Sequence, residues 1–185
     1  MRKNGFTLIE LLVTFVILGI VTAIAIPGFA RWLPNYRLKS AARELYANMQ
    51  LAKMGAVKDN ADWAVVFDTG SNRYLICSDK GADGSWSNTA DNTTEKTIIL
   101  SDYESGVGYG HGNATTNATQ GGGAFPIDNV SYTSPDNVAI FTPKGMVSNL
   151  GYVYLSNNKG LSYTVATPII AGVILIKKWT GAAWE

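Results

Sequence analysis

Few residues in this chain could do chemistry, and their spacing argues against most of it. There is one histidine, His111, and one cysteine, Cys77. A Cys/His zinc cluster and an internal disulfide framework are both excluded at once. His111 stands in a glycine-rich stretch without a triad partner nearby, so it is expected to be a solvent-facing loop residue. Cys77 ends an apolar run and reads as a small core residue rather than a nucleophile. Asp79, Asp83-Gly84 and Asp91 have something of a calcium loop, but the alternating acids and closing glutamate of an EF-hand are missing. Gly106-x-Gly108-x-Gly110-x-Gly112 lacks the Gly-Lys-Ser/Thr ending of a phosphate loop and is not set between a strand and a helix. No catalytic, metal or cofactor site emerges, and the chain reads as non-enzymatic. What remains is Glu10, the one charge in the 24-residue apolar run 6–29.

That run decides the class of protein. As a helix it spans roughly 36 Å at about 1.5 Å per residue, enough to cross a bilayer. A buried core helix is the weakest reading, since so long an uninterrupted apolar run is foreign to a domain of 185 residues. A cleavable secretory signal has Arg2 and Lys3 as its basic region and Ala23-Ile24-Ala25 as a small-x-small cut site. Glu10 counts against it. A carboxylate near the bilayer interior costs on the order of 2.5–3.5 kcal/mol, which marks it as functional.

The residues Lys3-Asn4-Gly5-Phe6-Thr7-Leu8-Ile9-Glu10 resemble the type III signal of type IV pilins and type II secretion pseudopilins. The resemblance implies a leader, residues 1–5, removed by a prepilin peptidase after Gly5 on the cytoplasmic face. It implies N-methylation of the new first residue, Phe6, and an assembly role for Glu10, paired with the amine of a neighbouring subunit. Loss of Arg2 and Lys3 turns the formal charge from +1 to −1. The positive-inside rule disagrees, because Arg31, Arg37, Lys39 and Arg43 outweigh the leader's two charges. The leader takes precedence, since the processing signal works only with the N-terminus inside.

The elements that must carry this segment follow by period. Leu38, Ala41, Ala42, Leu45, Met49, Ala52 and Ala56 repeat at 3–4 spacing, which predicts one helix over residues 6–58 whose second half packs on a globular head. Pro27 and Pro34 predict a kink or local melting, and Pro27 also reads as the end of the membrane portion. Residues 63–67 and 73–77 read as a hairpin, with further strands at 97–103, 138–141, 152–156, 161–165 and 172–179. Long loops are expected at about 78–96 and 104–137; within them, residues 104–126 hold seven glycines. The fold class is α+β: a long N-terminal transmembrane and amphipathic helix packed on an antiparallel, sandwich-like β head over 59–185. This order is similar to the GspH/FimT-like pseudopilins, which share the Ala-rich helix end and the element Phe141-Thr142-Pro143-Lys144-Gly145. The similarity covers about 37–77 and 138–178 and lapses between Lys80 and Pro135.

Hydrophobic residues make up 46% and charged residues 16%, which excludes a disordered chain. Charge is segregated. Residues 31–58 carry six bases against Glu44, and residues 59–137 carry eleven acids against Arg73, Lys80 and Lys96, a pattern suited to stem-to-head packing between copies. The expected function is a minor pseudopilin, a structural subunit of a type II secretion pseudopilus; a minor pilin of a type IV pilus and a soluble module released after Ala25 are the alternatives. The expected location is the bacterial inner membrane, with one crossing and a periplasmic head. Expected partners are other pilins or pseudopilins, the prepilin peptidase, membrane lipid and the assembly platform. Expected assembly residues are Glu10 and Pro27. DNA binding is not expected: where related DNA-binding subunits place arginines, this chain has Gly172-Val173-Ile174-Leu175, and only Lys177, Lys178 and Trp179 remain as a basic-aromatic patch.

Overall fold

A computed structural model describes residues 6–133 and 136–185. Helix α1 (Leu8–Asp59) runs unbroken for 52 residues, about 78 Å at the helical rise. It stops at Asn60, which takes the left-handed conformation (φ 49°) and returns its N–H to the Ala56 carbonyl. Only its second half is buried, along Pro34, Leu38, Ala41, Ala42, Leu45, Asn48, Met49, Ala52, Gly55 and Ala56. The apolar positions of that face are the ones the 3–4 spacing selects.

The local melting expected at Pro27 and Pro34 is not found, because helix α1 continues through both. Each proline removes one donor, and the hydrogen bonds on either side hold the turn. Pro34 is also clamped by the head: its carbonyl accepts from Asn157 Nδ2 at 3.0 Å.

Eight strands follow among the described residues: β1 (Trp63–Asp68), β2 (Arg73–Asp79), β3 (Thr93–Ile99), β4 (Gly108–Tyr109), β5 (Val138–Phe141), β6 (Gly151–Ser156), β7 (Ser162–Thr167) and β8 (Leu175–Lys178). They form two four-stranded antiparallel sheets, ordered β3-β2-β1-β5 and β4-β6-β7-β8. The inner faces of both sheets close on α1 in a shared core that includes Phe67, Tyr74, Phe141, Leu155 and Val165.

Three strand expectations shift for local reasons. The strand read at 97–103 begins at Thr93, since the polar run 93–96 lies at a sheet edge and pairs through its backbone with Cys77 and Asp79. It ends at Ile99, where a 3-10 turn (Leu100–Tyr103) carries Leu100 inward to full burial. The strand read at 172–179 begins only at Leu175. Gly172 turns the chain with φ +70°, and a Cβ there would lie 2.3 Å from the Gly145 carbonyl oxygen. The strand read at 161–165 is β7, shifted one residue to Ser162 and extended to Thr167. The glycine-rich stretch, read as a loop throughout, contributes β4.

Both long loops turn back onto sheet surfaces rather than standing in solvent. Residues 80–92 bring Trp86 down on the outer face of the first sheet, against Ala64, Val66, Leu75 and Cys77. Residues 110–125 cover the outer face of the second sheet, where Phe125 meets Tyr154 edge-on at 5.1 Å.

Candidate functional site

Helix α1 offers two surfaces of opposite fate. From Phe6 to Trp32 every residue is exposed, with nothing from the head against it. Among the described residues this is the one helix long and apolar enough to cross a membrane. At its start Thr7 and Glu10 form a capping box. The Glu10 backbone N–H donates to Thr7 Oγ1 at 3.3 Å, and Glu10 Oε2 accepts from the Thr7 N–H at 2.9 Å and its hydroxyl at 2.8 Å. Two orphan donors of the first turn are thereby satisfied. Both bonds fall on Oε2, and Oε1 has no partner among the described residues. The signal for this box, Thr-x-x-Glu ahead of an apolar run, lies in the sequence, but attention to Glu10 as a lone charge passes over Thr7.

The second half of α1 is held to the head by polar contacts as well as by apolar packing. Arg37 pairs with Glu104 at 2.5 Å and also donates to the Ser105 hydroxyl at 2.9 Å. Glu44 accepts from Lys96 at 2.9 Å and from the Tyr103 hydroxyl, and these bonds, Tyr103 foremost, hold its carboxyl below the ordinary range. Tyr103 shifts upward through burial and the Glu44 carboxylate. Asn48, buried within the helix, donates to Tyr74 Oη at 2.8 Å and accepts from Lys96 at 3.3 Å. Lys53 caps the Gly172 carbonyl at 2.9 Å. Part of the charge segregation expected to join separate copies is thus spent within one chain.

The other sequence candidates separate cleanly. Gly5 lies outside the described residues. Asp79 and Asp83 accept backbone N–H groups of Gly81 and Ser85, each at 2.8 Å, and Asp91 accepts from the Asp83 N–H at 3.1 Å. These carboxylates shape turns, and no metal-holding group of three such side chains forms among the described residues. Cys77 is fully buried, and burial pushes its thiol up. His111, expected to face solvent, is half-buried. It stacks on Phe125 with ring centroids 4.0 Å apart and sits 3.2 Å from the Ala114 carbonyl through Nδ1, because the loop folds onto the sheet. Asn48 and Gly55 were missed by pattern reading; Gly55 lets the Trp63 ring lie flat on the helix, where a Cβ would be 2.6 Å from it.

A bare apolar helix of this length, capped through a threonine and glutamate and fused to a β head, is the construction of a pilin-like subunit. Residues 1–26 match the prokaryotic N-terminal methylation motif, and residues 41–167 match the family described as type II transport protein GspH. The chain belongs to that GspH family. Pilin-like protein PilA1 of Thermus thermophilus is 35% identical over 85 residues, which are 45% of this chain and 53% of the relative; the chain spans about half that relative's length. The fold is similar to the type IV minor pilin FimU of Pseudomonas aeruginosa, with TM-score 0.51 and 14% identity over 83% of this chain and 96% of FimU. The minor pseudopilin EpsH of Vibrio cholerae aligns over 76% of this chain and 94% of its own length, with TM-score 0.47 and 15% identity. By its family the chain is a pilin-like, non-enzymatic structural subunit, and its N-terminal motif and apolar helix fit membrane anchoring.

Proposed function

We propose that this chain is a minor pseudopilin of a type II secretion pseudopilus, near the filament tip, supporting export of folded proteins across the outer membrane. It enters the inner membrane with the N-terminus cytoplasmic and the head periplasmic. Residues 1–5 form the leader, residues 6–29 the membrane-spanning part of the helix and residues 59–185 the head. The prepilin peptidase cuts between Gly5 and Phe6 and methylates the Phe6 amine, and the assembly platform then draws the helix out of lipid among its neighbours.

The observation that carries this reading is the Thr7–Glu10 box on a helix half with no intramolecular partner. After the cut, the new amine sits one residue ahead of the cap. Glu10 retains its bond to Thr7 through Oε2 and has Oε1 free to receive the Phe6 amine of an adjacent subunit. Two charges leaving water together are stabilised only when matched, so each subunit's glutamate selects the axial stagger at which it meets an amine. Pro27 deprives the Ala23 carbonyl of its helical donor, which makes that turn the place for the helix to loosen as it enters the filament.

N-terminal sequencing and intact mass of protein from the native host test the processing. The expected mature chain begins at N-methylated Phe6, and a start at Ile26 would replace this reading with the released soluble module. A minor pilin of a type IV pilus is the second reading, favoured by the similarity to a pilin-like protein over 85 residues. Deletion of the gene separates the two: loss of exported proteins with pili intact supports secretion, and the reverse supports the pilus.

A further inference from the structure

Helix α1 is more basic where it leaves the apolar run than where it enters it, against the usual bias of membrane-spanning helices. From Glu10 to Arg31 the helix rises about 32 Å, close to the roughly 30 Å of a bilayer's hydrocarbon core. Arg31 therefore falls where hydrocarbon gives way to head groups. Phe29, Trp32 and Tyr36 form an aromatic ladder across that level, with successive ring centroids 5.8 Å and 4.9 Å apart, and all three rings are exposed. The Trp32 indole N–H and the Tyr36 hydroxyl make no hydrogen bond among the described residues. Rings with an apolar body and a polar edge settle at a membrane–water interface.

The head reaches the same level. Asn157 holds it to the helix about 4.5 Å beyond Arg31, donating through Nδ2 to the Pro34 carbonyl at 3.0 Å and to Asn35 Oδ1 at 3.2 Å. Asn157 opens the turn between β6 and β7, and its Oδ1 accepts the Lys159 N–H at 3.0 Å, which sets the exposed Lys159 beside the helix there. The head-group layer of one leaflet is roughly 5–7 Å deep, so this turn meets it. Arg37 lies at the same end, but Glu104 neutralises it. Arg31, Lys39 and Lys159 are exposed and pair with no carboxylate among the described residues. Lys39 follows Trp32 and Tyr36 on one helix face. Helical side chains lean toward the N-terminus, so its ammonium reaches back toward the bilayer.

Three unpaired cations around an aromatic step at a lipid boundary select the occupant. A zwitterionic head group brings them no net charge, and an apolar surface leaves them unmatched. An anionic head group matches them, and its oxygens accept from the indole and the phenol. We propose that Arg31 and Lys39 of α1 and Lys159 of the β6–β7 turn, around Trp32 and Tyr36, form a collar that binds anionic phospholipid head groups where the helix leaves the bilayer. The collar rests on the reading of residues 6–29 as membrane-spanning, to which it adds the class of lipid and the residues that take it. Because the head is clamped at Pro34, lipid held by the collar also fixes which end of the head faces the membrane.

The test reconstitutes the full chain in phosphatidylcholine vesicles and reads the quenching of Trp32 by lipids brominated high in the acyl chains. Trp32→Phe supplies the background from Trp63, Trp86, Trp179 and Trp184. Brominated phosphatidylglycerol is expected to displace phosphatidylcholine at Trp32 with a preference of roughly fivefold or more, the effect of one basic residue at an anionic surface. That preference is expected to vanish in roughly 1 M salt, where the screening length falls to about 3 Å. It should vanish equally when Arg31→Gln, Lys39→Gln and Lys159→Gln are combined, with the Tm of the head unchanged. Equal quenching by the two lipids, or a preference that survives the combined substitution, overturns the proposal. Quenching that ignores lipid charge and falls as protein is crowded into the vesicles assigns the basic face to the acidic head of a second copy, and overturns it too. Alkaline extraction of the same vesicles separates the two levels. A chain that washes out ends the membrane-spanning reading and the collar with it, whereas one that stays without lipid preference loses the collar alone.

Discussion

The two halves of helix α1 share one backbone and differ in everything that stabilises them. Residues 8–29, Glu10 apart, are apolar on all sides and fully exposed, while residues 34–56 are apolar on one stripe and bury it completely. A stripe directs a helix against one partner surface. A helix that is apolar all round needs an apolar surrounding medium. On the proposed function the first half serves assembly and the second folding, so substitutions in the two should have separable consequences.

The largest separation is expected from Glu10→Ala. It removes the capping-box carboxylate and the open Oε1, yet no head residue touches it. Cleavage, membrane insertion and the head's Tm should remain, while co-purification with partner pilins should collapse. Recovery of partners at wild-type yield would remove Glu10 from the assembly site. Leu45→Ala is the mirror experiment. Leu45 is fully buried at the helix–sheet contact, so its truncation should destabilise the head by about 2–5 kcal/mol. Leu18→Ala, the same chemistry on the bare half, should leave the head's unfolding transition in detergent where it was. A fall in Tm for Leu18→Ala would show that the halves are not independent.

Gly55→Ala sharpens the same boundary. The new Cβ would enter the Trp63 ring plane, 2.6 Å from its carbons, and overpacking of this kind costs about 1–3 kcal/mol. Gly19 and Gly28 have open space around them, so Gly28→Ala should be neutral or stabilising for the isolated subunit. Differential scanning calorimetry of the pair reads the contrast directly.

The smallest effect is electrostatic. The Tyr103 and Lys96 bonds hold the Glu44 carboxyl below its ordinary value of 4.5, so the ionised form is favoured by folding. That contribution is fully present above 4.5 and is lost as pH falls through the lower folded value. Glu44 is more than one-third exposed and screened by solvent, which keeps the effect modest. Tm measured from neutral to acidic pH should therefore fall less in Glu44→Gln than in the natural chain.

The sequence by itself determined the helix, its division and its processing signal. Uniform apolarity, the 3–4 stripe and the Gly5-Phe6…Glu10 register are local properties, written in consecutive residues and readable without a partner. Hairpin β1–β2 was legible for the same reason, since a short polar turn joins two strand-like runs. The tertiary structure alone decided what distant residues do together. Pro27 and Pro34 do not break the helix, because one missing donor is outweighed by the neighbouring turns and, at Pro34, by Asn157 from far along the chain. Gly55 needs the Trp63 ring to explain it, and Asn48 needs Tyr74. The glycine-rich stretch carries no period to betray its place. The half-buried packing of His111 and Phe125 depends on a sheet face assembled from strands that follow it in sequence. Contacts of that kind are set by three-dimensional shape, and a pattern read along one dimension holds no trace of them.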